Sequence, residues 1–232
     1  MKTKLRPIAT AALSLGVLFQ VGCAWGFGGE DVGTTEMHRQ LSNSVSIQTG
    51  IVLGDLDRIQ DAAEWLATHE ERIPLPGTVD AQRADLRGYA ATIAQTTDLA
   101  EIADRTGHMA AACGSCHQTL SVGPRFRIHS GPPSGTGSGA LMVRTLWAAD
   151  RMWEGLVGPS QEAWNAGVHA LGDLLAHTDD TSSSSQIAAL QLGYGSRVSK
   201  VVQDARMADT QEERGAVYSR LLTTCNSCHT RA

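Results

Sequence analysis

Apolar residues recur every three or four positions through most of the chain beyond residue 35, which is the spacing of one buried helix face. The clearest runs are Leu56, Ile59, Ala63 and Leu66 in one half and Ile187, Leu190, Tyr194 and Val198 in the other. No stretch alternates apolar and polar residues as a half-buried strand does. The pattern therefore predicts an all-α fold.

The sequence also repeats itself. An offset of 105 residues pairs Met37 with Met142, Gly50-Ile51-Val52 with Gly155-Leu156-Val157, and Gly88-Tyr89 with Gly193-Tyr194. Beyond Tyr194 the offset becomes 112, so the second copy holds seven more residues there, about two helical turns. Matches that fall in order along the chain indicate a duplication.

The sequence of each copy predicts four helices, and residues typical of N-terminal caps locate where they begin. The second helices are expected to start at Asp55 and Ser160, and the third at Asp80 and Ser185. Capping boxes are expected to open the fourth helices at Asp98 with Glu101 and at Thr210 with Glu213.

The ends of the two copies set the predicted domain boundaries. Residues 1–22 join a basic start to an apolar stretch too short for a comfortable membrane span, which is typical of a secretory signal. We predict a Gly-rich tether over 23–34, a first helical domain over 35–121 and a second over 140–232. The Gly/Pro/Ser-rich segment 122–139 is predicted to be the linker.

Cys23 stands alone at the end of the apolar stretch and before the tether. This position resembles the lipid-attachment site of bacterial lipoproteins, although Gln20 occupies a place where such signals usually carry an aliphatic residue. Lipidation of Cys23 would tether the protein to a membrane without a span. The alternative is ordinary cleavage near Cys23 or Ala24, and both predict a periplasmic or periplasm-facing protein.

The charge balance narrows the choice of partners. The chain has 24 acidic and 19 basic residues, a net charge of −5, and removing the basic residues of 1–22 makes it more negative. An acidic chain without a basic run is a poor nucleic-acid binder. We expect protein partners outside the cytoplasm instead.

Two Cys-x-x-Cys-His sequences carry the chemistry. They are Cys113-Gly114-Ser115-Cys116-His117 and Cys225-Asn226-Ser227-Cys228-His229, called here the first and second motif. On a helix, residues three apart share a face, so both sulfurs of a motif can form thioethers with one porphyrin. The following His then presents a ring nitrogen to the iron. A redox dithiol, a zinc site or disulfides would not explain a His after each pair.

A C-x-x-C-H motif at the end of a fourth helix resembles the class II cytochromes c, the cytochrome c′ family of antiparallel four-helix bundles. The resemblance covers residues 35–121 and 140–232. It implies two tandem antiparallel four-helix bundles, each with one covalent haem c. Two bundles in one chain depart from the common pattern, and they could pack as an internal pseudo-dimer.

The resemblance also implies the surroundings of each iron. His117 and His229 would be the proximal ligands, and Met37 and Met142, at equivalent places in the first helices, the candidate distal ligands. Arg39 and Arg144 could contact haem propionates, and Tyr89 and Tyr194 could pack near the porphyrin. Packing roles are expected for Met109, Met152, Met207, Trp147, Trp153 and Trp164, and solvated or packed positions for His69, His129, His169 and His177. His108 is expected to face away from the haem.

These features predict an exported dihaem c-type cytochrome that carries single electrons and is not itself an enzyme. No Ser-His-Asp set, paired-carboxylate cleft or nucleotide-binding loop competes with the haem motifs. Two alternatives stay open. One is an NO- or CO-binding protein or sensor with at least one five-coordinate haem, and the other is a haem subunit of a membrane-associated redox enzyme complex.

Overall fold

The computed structural model describes residues 32–70, 73–124, 126, 131–135, 137–176 and 185–229, with side chains at all of these except 32, 138, 176 and 185–193. The predicted signal segment, Cys23 and most of the predicted tether therefore lie outside the described residues.

Helices make up most of the described chain. They are α1 (Val32–Leu53), α2 (Leu56–Thr68), α3 (Asp80–Gln95), α4 (Leu99–Leu120), α5 (Gly137–Val157), α6 (Gln161–Ala176), α7 (Ser185–Met207) and α8 (Gln211–His229), and a single 3-10 turn, Gly77–Val79, precedes α3. The described residues contain no β-strand. The predicted all-α class is confirmed.

The second helix of each half begins at its predicted cap. The Asp55 carboxylate and the Ser160 hydroxyl each accept a hydrogen bond from the backbone N–H three residues on, at 3.1 and 3.2 Å. The turns before them also match, because Asp55 N donates to Gly50 O at 2.9 Å and Ser160 N donates to Gly155 O at 3.0 Å. The repeat in the sequence is therefore a repeat in the backbone.

The fourth helices start in two different ways. Thr210 and Glu213 form the full predicted box, since each side chain accepts from the other residue's backbone N–H at 3.1 and 3.0 Å. Asp98 caps α4 as predicted. Its box is incomplete, however, because the Glu101 carboxylate accepts from the Thr96 hydroxyl at 3.0 Å instead.

The predicted start of the third helix was wrong by one residue. The preceding 3-10 turn brings Asp80 into helical geometry, so Val79 stands at the cap and Asp80 is the first residue of α3. The Asp80 carboxylate then pairs with Arg83 at 3.1 Å. The same one-residue difference holds for α7, because Ser185, the predicted cap, is its first helical residue; the side chain of Ser185 lies outside the described set.

The seven extra residues of the second copy lengthen one helix. α7 has 23 residues and α3 has 16. An insertion of two turns leaves the same face directed at the core, so α7 still buries Val198 and Val201. Two boundaries shift as well: α1 begins at Val32, inside the predicted tether, and α5 begins at Gly137, inside the predicted linker.

Consecutive helices pack against each other within each half, α1–α4 and α5–α8, and α4 and α8 join the halves. The contact between α4 and α8 is more extensive than any between neighbours in the first half. From Val32 onward the chain forms one compact unit, with a shared core that includes Ile47, Ile102, Trp164 and Leu221. The division into two separate bundles stays a prediction.

Small residues allow the α4 and α8 backbones to approach each other. A Cβ on Gly107 would overlap the carbonyl oxygen of Gly215, and a Cβ on Gly215 would lie 2.6 Å from that of Gly107. The Ser219 hydroxyl donates to Asp104 O across the contact at 3.0 Å. Asp104 lies opposite Ser219 while Gly114 lies opposite Gln211, so the two helices run antiparallel.

The close helix contact predicts the outcome of a matched pair of substitutions. Gly107→Ala forces two backbones apart and should lower the free energy of unfolding by about 1–3 kcal/mol. Gly88→Ala, on α3 with open space around it, should raise it by about 0.5–1 kcal/mol, because helical alanine loses less entropy than glycine on folding. Urea unfolding followed by circular dichroism measures both. Equal effects would contradict the tight crossing.

Candidate haem sites

The first motif ends α4, with Cys113 and Cys116 on one face of the helix. His117 Nδ1 lies 2.8 Å from the carbonyl oxygen of Val157, at the end of α5 in the other half. A carbonyl oxygen can only accept, so Nδ1 carries the proton and donates. In the neutral ring Nε2 then carries the lone pair, as in an iron- or zinc-ligating His with an outer hydrogen bond.

The end of α5 also packs directly against the residue between the two cysteines. A Cβ on Gly114 would overlap the carbonyl oxygen of Leu156 and lie 2.9 Å from the Gln211 amide nitrogen. Only glycine admits this approach. The first motif is thus supported by two helices of the second half, α5 and α8.

The second motif is contacted by α1 of the first half and by α7 of its own half. Asn226, equivalent to Gly114, donates from its amide to Ile51 O at 2.9 Å, and Ile51 is the repeat partner of Leu156. Arg197 of α7 donates to the Ser227 hydroxyl at 2.9 Å. His229 is exposed at the end of α8 and forms no hydrogen bond like that of His117 within the described residues.

Burial keeps the first cysteine of each motif protonated to high pH. Burial, aided by the nearby Cys116, raises the pKa of Cys113 to about 12, and burial with the nearby Cys228 raises the pKa of Cys225 to about 11. No disulfide joins any two of the four motif cysteines. A catalytic redox dithiol needs a thiol whose pKa is lowered, so the electrostatics disfavour that alternative.

A small apolar cavity lies beside the second motif. Its volume is about 20 Å³, and it is lined by Leu141, Leu171, Leu174, Leu175, Tyr194, Gly195 and Val198. Burial, with the charges of the nearby Cys225 and Cys228, raises the pKa of Tyr194 to about 12, and its hydroxyl bonds to Thr145. The cavity has room for about one water, so a porphyrin would have to part the surrounding helices.

The other predicted contact residues lie in different surroundings. Tyr89 stacks on His108 with ring centroids 5.7 Å apart. Arg144 donates from its guanidinium to Pro133 O and Gly135 O of the linker, at 2.8 and 2.9 Å. Arg39 is exposed. Their roles toward haem stay predictions.

The predicted distal residues differ from each other. Met37 is half-buried near the start of α1, whereas Met142 is 39% exposed near the start of α5. Among the methionines expected to pack, Met109 and Met152 are buried, but Met207 ends α7 with 78% of its surface exposed, so that prediction was wrong.

The packing predicted for the three tryptophans and the solvated position allowed for His169 are confirmed. Trp153 and Trp164 are buried and Trp147 is half-buried. His169 is exposed and lies 3.2 Å from Asp173, while His129 and His177 lie outside the described residues.

The first half contains a buried pair that was not predicted from the sequence. Glu36 Oε1 lies 2.8 Å from His69 Nε2, with side chains 4% and 19% exposed. The His69 ring stacks on Trp65 at 4.1 Å, and Arg87 donates to His69 O at 3.4 Å. The sequence does contain one sign of this pair, because the equivalent positions of the second copy hold apolar residues.

Comparison with known proteins identifies no relative, and two kinds of feature are absent from the described residues. No protein-family model, curated protein or solved structure matches this chain. The described residues hold no group of three or more His, Cys, Asp or Glu side chains arranged around a metal ion. No described helix has the length and apolar character required to cross a membrane.

The raised thiol pKa values predict slow alkylation. In the haem-free chain at pH 8, Cys113 and Cys225 should react with iodoacetamide at least about a hundredfold more slowly than an exposed cysteine, because they stay protonated to higher pH. Peptide mass mapping over time measures each rate, and the urea-unfolded chain is the control. Fast modification at pH 8 would instead indicate an activated dithiol.

Proposed function

We propose that this protein is an exported c-type cytochrome with two covalently attached haems that carries single electrons between redox partners. The observation that carries the proposal is the state of His117, next to a Cys pair on one helix face, with Nδ1 bonded to Val157 O and Nε2 left as the acceptor. The second motif repeats the sequence at the end of the equivalent helix.

The residues present fit haem c. Cys113 with Cys116, and Cys225 with Cys228, would form the thioethers, and His117 and His229 would each supply an axial nitrogen. When bound, such a group supplies an iron that exchanges one electron reversibly. The chain itself orients His117 through Val157 and holds Cys113 in a half-buried position.

The antiparallel arrangement of α4 and α8 separates the two motifs. They lie at opposite ends of the helix pair, roughly 28 Å apart at about 1.5 Å per residue. Each haem would therefore be accessible at its own end of the molecule. This suits a carrier that receives an electron from one partner and delivers it to another.

One observation favours a second candidate function, the binding of NO or CO at the second haem. Met142 is 39% exposed, and the cavity beside the second motif is apolar. Without a methionine on the iron, the sixth position would be open to a small ligand. The first haem, with Met37 half-buried, would remain the electron carrier.

Haem attachment can be tested motif by motif. Cys113→Ala/Cys116→Ala and Cys225→Ala/Cys228→Ala, each expressed with haem-maturation machinery, should each halve the covalent haem per chain, because each motif attaches one group. Pyridine haemochrome spectra and intact mass measure this. The control is Cys23→Ser, which should keep both haems. A wild-type chain without covalent haem would contradict the proposal.

The sixth ligands can be separated by CO binding. The reduced wild type should bind CO at the second haem only, and Met37→Ala should add binding at the first with a change from low-spin to high-spin spectra. Met142→Ala should leave the spectra unchanged, as should the control Met207→Ala. Binding at neither haem of the wild type would contradict an open second site, and binding at both would contradict Met37 ligation.

A further inference from the structure

Two positions that are polar in the first half are apolar at the equivalent places of the second half. The offset of 105 residues aligns Glu36 with Leu141 and His69 with Leu174. In the first half these positions form a buried polar pair, whereas in the second half they line an apolar cavity. The difference is confined to a duplicated framework whose caps and turns agree.

The polar pair lies inside the first half. The Glu36 side chain is 4% exposed, and its Oε1 contacts His69 Nε2 at 2.8 Å without the alignment of a hydrogen bond. Neither atom has another hydrogen-bond partner among the described residues. Trp65 covers one face of the His69 ring at 4.1 Å. The Glu36 carboxylate is thus more shielded from solvent than the side chains around it.

The polar pair and the apolar cavity each lie at the same height along the helices as the motif of their own half. In the first half, Gln82 contacts Thr119 at 3.4 Å and Arg87 contacts His69 O at 3.4 Å. Since α3 and α4 run in opposite directions, Arg87 and with it His69 stand about level with Gly114. In the second half, Tyr194 lines the cavity and is close enough to Cys225 and Cys228 for their charges to shift its pKa.

A haem iron gains one positive charge on oxidation, so its surroundings decide which state is favoured. A buried carboxylate and a polar pair stabilise the oxidised state, and an apolar wall does not. The hydrogen bond from His117 to Val157 O acts in the same direction, because it makes the imidazole a stronger donor to the iron. Arg87 opposes this effect, but it is only half-buried and partly screened by water.

We propose that the first haem has the lower reduction potential, set by Glu36 with His69 and by the Val157 carbonyl, so that exchange of an electron between the haems places the electron of a half-reduced chain on the second haem at equilibrium. This inference rests on the proposed function. The step moves one electron from the reduced first haem to the oxidised second, leaving the first ferric and the second ferrous, with no bond made or broken. Glu36 acts on the reduction potential of the first haem through its charge.

The test is a spectroelectrochemical titration of the full chain with both haems. Two one-electron steps are expected, and the chain carrying Cys225→Ala/Cys228→Ala assigns the lower step to the first haem. Glu36→Gln should raise the lower step by at least about 59 mV, a tenfold change in the equilibrium between the haems. Glu36→Asp should restore most of the difference, and Leu141→Gln, the matched control, should leave the lower step unchanged.

Ligation is checked separately, so that a structural effect is recognised. The absorption spectrum and CO binding of Glu36→Gln should match those of the wild type. If that variant does not fold, Glu36→Leu/His69→Leu copies the apolar pair of the second half, a replacement that buried ion pairs usually tolerate, and it should raise the same step.

The outcomes are distinguishable. A first haem with a potential equal to or above that of the second, or a lower step that none of these substitutions moves, would overturn the inference while the cytochrome proposal stands. A chain without covalent haem would overturn the proposed function itself.

Discussion

The close contact of α4 with α8 is the constraint on which the rest of the structure depends. Gly107 and Gly215 remove the side chains that would hold the two backbones apart, and Ser219 closes the contact by donating to Asp104 O. Because both helices end in a Cys-x-x-Cys-His motif, their antiparallel packing sends the motifs to opposite ends. The contact between α4 and α8 therefore joins the two halves and also keeps the two candidate redox sites apart.

The same crossing makes each motif a product of both halves. Once α4 and α8 lie side by side, the end of α5 reaches Gly114 and His117, and the end of α1 reaches Asn226. A motif in an isolated half would lose these contacts. The interdependence argues that the duplicated chain acts as a single folding unit, in which a change at either motif bears on the packing of both halves.

Local features of this fold could be predicted from the sequence, and long-range ones could not. Asp55 and Thr210 cap their helices because capping depends on residues three apart, and the seven extra residues lengthened α7 because whole turns preserve the buried face. The bond from His117 to Val157 joins residues 40 apart in different halves. Periodicity identifies a buried face, but it does not identify the neighbour that this face contacts.

The same limit explains why the pair of Glu36 and His69 was missed, and comparison of the copies shows how it could be recognised. Duplication starts from two identical sites, so each later polar-for-apolar difference at a buried position must be tolerated by the fold. A buried carboxylate costs desolvation energy that Leu141 does not. Stability alone would favour the apolar version in both halves. Packing therefore does not explain the polar version in one half, at the level of the motif, whereas the proposed difference between the two haem potentials would.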